Sequence, residues 1–172
     1  MATKQTPMTE AEIHAQFEAV LQALNDHDVD GLMEHLTDDV VWIEPGHSLQ
    51  GKEAVAAHQK EKFEAFPEMQ LSPGDFRLTI SLDPPCYAHT WDVTGTMLGA
   101  FLGIPATGRK VGFSGTTVCT FRDGLISEYK MTYDRLDLMQ QLGVLPKTDG
   151  LGFKTVAVFN LMLHRDRKAL QR

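Results

Sequence analysis

The chain has 172 residues, of which 42% are hydrophobic and 23% are charged, a composition typical of one ordinary globular domain. A net charge of −7, and the lack of an apolar run near the roughly 20 residues of a membrane span, argue against nucleic acid and membrane partners. The two cysteines, Cys86 and Cys119, show no spacing typical of a disulfide framework or a metal site, so we expect a cytoplasmic protein.

Two helices are predicted at the start of the chain. Thr9 followed by Glu12 has the pattern of a capping box, and apolar residues then recur at helical spacing: Ile13, Phe17, Val20, Leu21 and Leu24. The polar run 25–28 ends this helix. A second short helix follows, which Asp38 and Asp39 end, and its apolar face comprises Val29, Leu32, Met33 and Leu36.

A strand and a third helix come next. Residues 40–44 read Val-Val-Trp-Ile-Glu, a strand that Pro45 and Gly46 stop. The third helix runs from about Lys52 to Phe66 and ends before Pro67, because proline cannot continue a helix. One side of this helix carries Val55, Gln59, Phe63 and Phe66.

The second half of the chain is dominated by predicted strands, which lie at 76–80, 87–97, 111–121 and 125–133. Asp123 and Gly124 form a two-residue hairpin signal between the last two. Asp134 then caps a short helix over 135–142, which Gly143 ends. Helices followed by an antiparallel meander, with one early strand, predict an α+β fold.

We divide the chain into an N-terminal tail at 1–9, one domain at 10–145 and a C-terminal helical extension at 146–172. The extension has apolar residues at helical spacing from Phe153 to about Lys168. A terminal helix packed on the sheet is the simplest interpretation, because most amphipathic helices bury one apolar stripe. A lid over a pocket or a dimer contact is the alternative.

Several stretches carry a resemblance to a known family: 24–45, which ends Val-Val-Trp-Ile-Glu-Pro; 51–55 leading to 65–67; 95–96 with 102–109, Leu-Gly-Ile-Pro-Ala-Thr-Gly-Arg; and 121–126 with 134–143. Over roughly residues 10–143 the chain resembles the SnoaL-like domains of the nuclear transport factor 2-like superfamily. The resemblance implies a cone in which a curved, mostly antiparallel sheet wraps around three helices and encloses a pocket. It implies less about activity, because this fold includes polyketide cyclases, ketosteroid isomerases, dehydratases, epoxide hydrolases and binding domains.

The period of two along each strand predicts which side chains face the inside of such a cone. The residues expected to face inward are Val40, Trp42 and Glu44; His89, Trp91 and Val93; Val111, Phe113, Gly115, Thr117, Cys119 and Phe121; and Tyr129, Met131 and Tyr133.

Glu44 is the first candidate for chemistry. In ketosteroid isomerases, which the chain resembles here, a carboxylate before the matching proline is the proton-shuttling base. Surroundings of Trp42, Phe63 and Trp91 predict a poorly solvated carboxylate with a raised pKa, which suits proton transfer near neutral pH. The alternative is a carboxylate at the mouth of the cone that is hydrated or paired with Lys52.

Two activities of the resembling proteins lack their usual residues here. The isomerase oxyanion hole uses a tyrosine and a protonated aspartate, and the matching positions hold Val20 and Thr117. The epoxide hydrolases use an Asp–Arg–Asp set, and the chain has His89 near the arginine position and Met131 at the second aspartate. Both departures argue against those activities in their ordinary form.

His89, Tyr129 and Tyr133 are candidates to stabilise an enolate oxygen, and His58 is a candidate to touch a ligand. A histidine or tyrosine on an apolar face is more often a core residue with a satisfied polar atom. Asp134 is better explained as a helix cap. We predict no cofactor and no metal site, because the histidines are not spaced as one.

The sequence therefore predicts a cofactor-independent isomerase or lyase, of the cyclase or dehydratase kind, that removes a proton next to a carbonyl group. The ligand would be a small apolar or polycyclic carbonyl compound, and the residues expected to contact it are Trp42, His58, Phe63, Trp91, Thr117, Met131 and Val20. A domain of the same fold that binds a small ligand or another protein without chemistry is the alternative.

Proteins resembling this family commonly form homodimers through the outer face of the sheet. We expect the same here, because that face carries small or polar strand-forming residues, Thr90, Asp92, Thr94, Ser114, Thr116 and Thr120.

Overall fold

The computed structural model describes residues 7–74, 78–147 and 155. Within them the chain forms helices and strands that we number in order: α1 Glu10–Asn25, α2 Val29–Glu34, β1 Leu36–Glu44, β2 His47–Gln50, α3 Lys52–Ala65, β3 Gln70–Pro73, β4 Thr79–Leu82, β5 Pro85–Thr96, β6 Lys110–Arg122, β7 Leu125–Tyr133 and α4 Arg135–Gln141.

One seven-stranded sheet organises these elements. Its strand order is β2-β1-β7-β6-β5-β3, and β4 also pairs with β5. β1 lies parallel to β7, whereas the other neighbouring strands are antiparallel. The sheet is curved and does not close; α1 and α3 pack against it, and α2 packs against α1 and α3. This α+β architecture confirms the predicted fold class.

Local signals in the sequence account for several element ends. The Thr9 hydroxyl accepts from the backbone N–H of Glu12, whose carboxylate accepts from Thr9 in return, so the predicted capping box is present. Asp134 accepts from the N–H of Asp137 and caps α4 as predicted. Asp123 and Gly124 have φ values of 52° and 81°, the left-handed conformation that their two-residue hairpin requires.

The prediction was wrong for the segment after α2. It placed Leu36 on the helix, but α2 ends at Glu34 and Leu36 begins β1. Leu36 pairs with Ile126 on β7, whose N–H donates to the carbonyl of His35, and a bulge separates this pair from Val41. The helical pattern of apolar residues was local, whereas the pairing with β7 is long-range and decides the conformation.

Two short strands were not predicted, β2 and β3, because each has only four residues and little apolar alternation. The strand predicted at 76–80 overlaps β4, which begins at Thr79. Residues 75–77 lie outside the described residues. The helix predicted from Phe153 to Lys168 also lies outside them, apart from residue 155.

The inward faces follow the predicted alternation. Trp42, Glu44 and Val40 on β1 are buried, as are His89, Trp91 and Val93 on β5. The helices add a continuous apolar layer above them, formed by Ile13, Phe17, Val20, Leu24, Leu32, Val55 and Phe63. Full burial of each large apolar side chain contributes roughly 1.5–3 kcal/mol. Among the described residues, no helix has the length and apolar character that crossing a bilayer requires.

Gly115 on β6 is a position where the inner face of the sheet has no room for a side chain. A Cβ atom there would overlap the ring of Trp91 and lie 2.8 Å from the carbonyl oxygen of Thr132. We therefore expect Gly115→Ala to lower the free energy of unfolding by about 1–3 kcal/mol, the usual cost of overpacking. Urea unfolding would measure this change.

Gly112 on the same strand provides the control. A Cβ atom at Gly112 would meet its nearest neighbour, the Thr94 Cγ2 atom, at 3.7 Å, which is ordinary contact. Gly112→Ala should leave stability unchanged or raise it slightly. Equal destabilisation by the two substitutions would contradict the packing of Trp91 over Gly115.

Candidate functional site

A mostly apolar pocket lies inside the concave sheet, toward the ends of β5, β6 and β7 that carry the hairpin 97–109 and α4. It is also bounded by α3 and by the segment after α3. Its apolar lining consists of Leu24, Phe66, Met69, Leu71, Trp91, Val93, Met97, Phe101, Leu102, Ile104, Val111, Phe113, Met131, Leu138, Met139 and Leu142. Such a lining suits a hydrophobic small molecule.

The charged side chains and the two tyrosine hydroxyl groups of this pocket lie together on one side. Glu44 comes from the end of β1, Tyr129 and Tyr133 from the neighbouring β7, Lys62 from α3 and Arg135 from the first turn of α4. The parallel pairing of β1 and β7, in which Trp42 lies opposite Tyr129, brings the first three together. The pocket can therefore orient a ligand that has one polar edge.

The Glu44 carboxylate is buried, with 5% of the residue exposed. The indole N–H of Trp42 donates to its Oε1 over 2.8 Å. Nε2 of His58 lies 3.2 Å from Oε2, and Nε2 of His47 lies 3.9 Å from the same oxygen. Glu44 is thus held from its own strand on one side and approached by two imidazole rings on the other.

The pKa of Glu44 differs from the sequence prediction. Burial acts to raise it, as expected, but the close polar contact of His58, the positive charge of Lys62 and the N–H of Trp42 together lower it to about 2. The prediction of a raised pKa was wrong because it considered only the apolar neighbours. The alternative pairing with Lys52 is also wrong, since Lys52 contacts Asp38 at 3.2 Å.

Lys62 was missed by the sequence analysis. Its amine lies 6.0 Å from the centre of the Trp42 ring and 5.6 Å from that of Phe63. Burial lowers the pKa of this amine, and the charge of Glu44 opposes that change. The available signal was spacing, because Lys62 follows His58 by four residues and so lies on the same face of α3.

The two tyrosines of the pocket remain protonated over the physiological range. Burial raises the pKa of Tyr133 to about 12, and it raises that of Tyr129 further. The Tyr129 ring stacks on Trp42 with 3.7 Å between ring centres. Both side chains line the pocket, so these protonated hydroxyl groups can donate to an oxygen atom of a ligand, although that of Tyr129 also has Thr117 as a partner.

The other predicted site residues occupy different places. Met131 and Trp91 line the pocket, while Trp42 and His58 contact Glu44 without being part of the lining. The hydroxyl of Thr117 accepts the indole N–H of Trp91 and is fully buried beneath it. Val20 and Phe63 are not among the lining residues. Val20 lies in the core, and Phe63 stacks on His27.

His89 lies away from the pocket lining, although it faces inward as predicted. Its ring packs edge-on against Phe17, with 4.9 Å between ring centres, and against Tyr87 at 5.7 Å. The residue is 4% exposed, and burial lowers its pKa to about 4. This is the environment of a neutral core histidine.

Comparison with known proteins gives one family. A model of the SnoaL-like polyketide cyclase family matches residues 14–142. AclR from Streptomyces galilaeus, a proposed hydroxylase, is 25% identical with a TM-score of 0.68, covering 80% of this chain and 100% of its own. TsrD from Streptomyces laurentii is 25% identical with a TM-score of 0.69, covering 80% and 99%.

A third structure, a proposed SnoaL-like polyketide cyclase from Jannaschia sp. CCS1, has a TM-score of 0.70 at 23% identity, covering 84% of this chain and 100% of its own, and supports the fold alone. No curated protein sequence matches the chain. The family resemblance read from the sequence is confirmed by these matches.

The neutral state of His89 predicts a dependence of stability on pH. Its pKa is about 4 in the folded protein and about 6.5 in the unfolded chain, so the unfolded state binds more protons between these values. The free energy of unfolding should therefore fall as the pH drops through this window, by about 2–3 kcal/mol between pH 7 and pH 4.5.

Urea unfolding at pH 7 and pH 4.5 would measure this loss in wild type and in His89→Leu, which removes the titrating group. Between pH 7 and pH 4.5, the free energy of unfolding of His89→Leu should fall by about 2–3 kcal/mol less than that of wild type. His14→Leu, at an exposed position on α1, should behave as wild type does. The same acid sensitivity in wild type and His89→Leu would contradict the prediction.

Proposed function

Because this chain belongs to the SnoaL-like polyketide cyclase family, we propose that it is an enzyme of the cyclase or isomerase kind, which removes a proton next to a carbonyl group with Glu44 as the base. One observation carries this proposal. Glu44 is the only carboxylate among the described lining residues, and it is buried with other polar groups directed toward it. A base in this position can reach a carbon acid in an otherwise apolar pocket.

A pKa of about 2 keeps Glu44 ionised at neutral pH, so it is ready to accept a proton. The same low pKa makes it a weak base in isolation. Lys62 and His58 offset this weakness. When Glu44 takes the proton, its negative charge is transferred to the substrate, which becomes an enolate close to the same two groups. Groups that weaken the base thereby strengthen the carbon acid, and they need no rearrangement during the step.

The enolate oxygen would be held by the polar side of the pocket. Tyr129 and Tyr133 supply protonated hydroxyl groups, and Lys62 and Arg135 supply positive charge. His89 is left out of this role because it is not part of the described lining. The substrate would be a small apolar or polycyclic compound with its carbonyl group at this edge.

The competing function is a domain that binds an apolar ligand without chemistry. Binding such a ligand requires no buried charge, and burying an ionised carboxylate costs several kcal/mol that its partners must offset. Glu44 and Lys62 are both charged groups within the pocket lining. Convergence of more than one polar group on Glu44 supports the enzyme over the binding domain.

Solvent-deuterium exchange into a panel of cyclic ketones and polyketide-like compounds tests the proposal. Glu44→Gln should reduce the exchange rate by about 10²–10⁴-fold, the usual contribution of a general base. Proton NMR or mass spectrometry of the ketones would give the rate. Glu64→Gln, at an exposed position on α3, should exchange as wild type does.

Equal exchange by wild type and Glu44→Gln would remove Glu44 as the base. Tight binding of a ketone without exchange by the wild-type protein would favour the binding domain instead.

We further propose that the protein forms a homodimer through the outer face of the sheet. In support, four of the six predicted residues are exposed: Asp92, Thr94, Ser114 and Thr116. Thr116 lies at its centre, since it pairs with Thr90 on β5 and with Thr132 on β7. A surface of small side chains suits the packing of one sheet on another.

A charge at Thr116 should weaken this dimer. In a two-fold interface each contact occurs twice, so Thr116→Glu introduces two like charges into one contact area. Light scattering at micromolar concentration should report a dimer for wild type and for Thr116→Ser, and a folded monomer for Thr116→Glu. A monomeric wild-type protein would end this proposal, and a dimer unaffected by the glutamate would exclude this face.

A further inference from the structure

We propose that Glu44, His47 and His58 form a binding site for one divalent transition-metal ion such as Zn²⁺. Each of these residues offers one ligand atom, and the three atoms lie within 4.8 Å of one another. Two imidazole nitrogens and one carboxylate oxygen are the ligands of many open zinc sites, in which the fourth position is left to water or substrate.

The distances from the Glu44 carboxylate to the two imidazole nitrogens are close to what zinc requires. Zinc bonds to nitrogen and oxygen are about 2.0–2.2 Å long, which places tetrahedral ligands roughly 3.3–3.6 Å apart. The Glu44 Oε2 atom is 3.2 Å from His58 Nε2 and 3.9 Å from His47 Nε2. A small shift of the partly exposed His47 ring would complete the arrangement.

Both imidazole nitrogens are buried, and although each lies within 4 Å of the Glu44 carboxylate, neither makes a well-aligned hydrogen bond among the described residues. His58 is the stronger case, because its side chain is only 6% exposed. Buried polar atoms in native proteins almost always make a good hydrogen bond, so these two nitrogens call for an explanation. A shared metal ion would satisfy both nitrogens at once.

The surroundings hold the carboxylate in a ligating orientation. The indole N–H of Trp42 occupies Oε1, which leaves Oε2 directed at the two rings. Outer contacts of this kind fix the geometry of metal ligands in known sites. Glu44 and His47 are also direct partners in the pairing of β1 with β2, and His58 comes from α3, so rigid elements supply all three ligands.

Charge near the site limits which ions it could hold. The positive charges of Lys62 and Arg135 lie near the cluster and disfavour any cation there. Two nitrogen ligands select zinc-like ions over Mg²⁺ and Ca²⁺, which prefer oxygen. We therefore expect weaker binding than in structural zinc sites.

A bound metal ion would also affect the reaction, a consequence that rests on the proposed function. A metal ion bound to Glu44 would withdraw the carboxylate from proton transfer, so Zn²⁺ should inhibit deuterium exchange by the wild-type protein. Metal binding itself requires no catalytic activity.

The test uses the full chain after removal of metal with a chelator. Calorimetry should show one Zn²⁺ bound per chain, and Co²⁺ should give the visible absorption of a protein-bound ion. His58→Gln and His47→Gln should each weaken Zn²⁺ binding by at least about tenfold, because loss of an outer contact alone costs 10–100-fold. His14→Gln, which changes an exposed histidine on α1, should bind as wild type does.

Circular dichroism of the metal-free variants would establish that each is folded, and the partly exposed His47 keeps the test valid if His58→Gln is unfolded. Wild-type affinity in both variants, or a Co²⁺ spectrum identical to that of the hydrated ion, would overturn the metal site. Zn²⁺ binding together with undiminished exchange by Glu44→Gln would support the metal site and remove the proposed base. Absence of Zn²⁺ binding, together with reduced exchange by Glu44→Gln, would support the proposed base and remove the metal site.

Discussion

Burial of the Glu44 carboxylate is the constraint on which the rest of the site depends. An ionised carboxylate removed from water costs several kcal/mol unless charged or hydrogen-bonding partners accompany it. The chain supplies them from two elements, β1 and α3. Trp42 lies two residues earlier on the same face of β1, and His58 and Lys62 lie one turn apart on α3. The packing of α3 on β1 is therefore fixed by polar contacts as well as by apolar area.

The same contacts connect the carboxylate to the pocket. The Trp42 ring that donates to Glu44 also stacks on Tyr129, which joins β1 to β7. Because these strands run parallel, the end of β1 and the end of β7 reach the same side of the pocket, and Arg135 follows directly after β7. The polar edge is thus a consequence of one strand pairing, whereas the apolar walls come from the whole curved sheet.

Much of the fold could be predicted because its signals are local. The capping residues Thr9 and Asp134, the turn at Asp123 and the alternation along β5 and β6 depend on neighbours in sequence. The position of Glu44 inside the pocket followed from that alternation and from the family resemblance. The direction in which its pKa is shifted could not be predicted. That direction depends on His58 and Lys62, which only the packing of α3 brings near.

His47 shows why the metal ligands could not be predicted. It lies after Pro45 and Gly46, in a strand of four residues whose pairing with β1 has no clear pattern in the sequence. Once that pairing forms, His47 stands opposite Glu44, and the cluster has two ways to balance one negative charge. In the first, Lys62 and His58 offset it and leave the carboxylate free to take a proton. In the second, a metal ion offsets it and holds both imidazole rings, so a proton and a metal compete for the same oxygen.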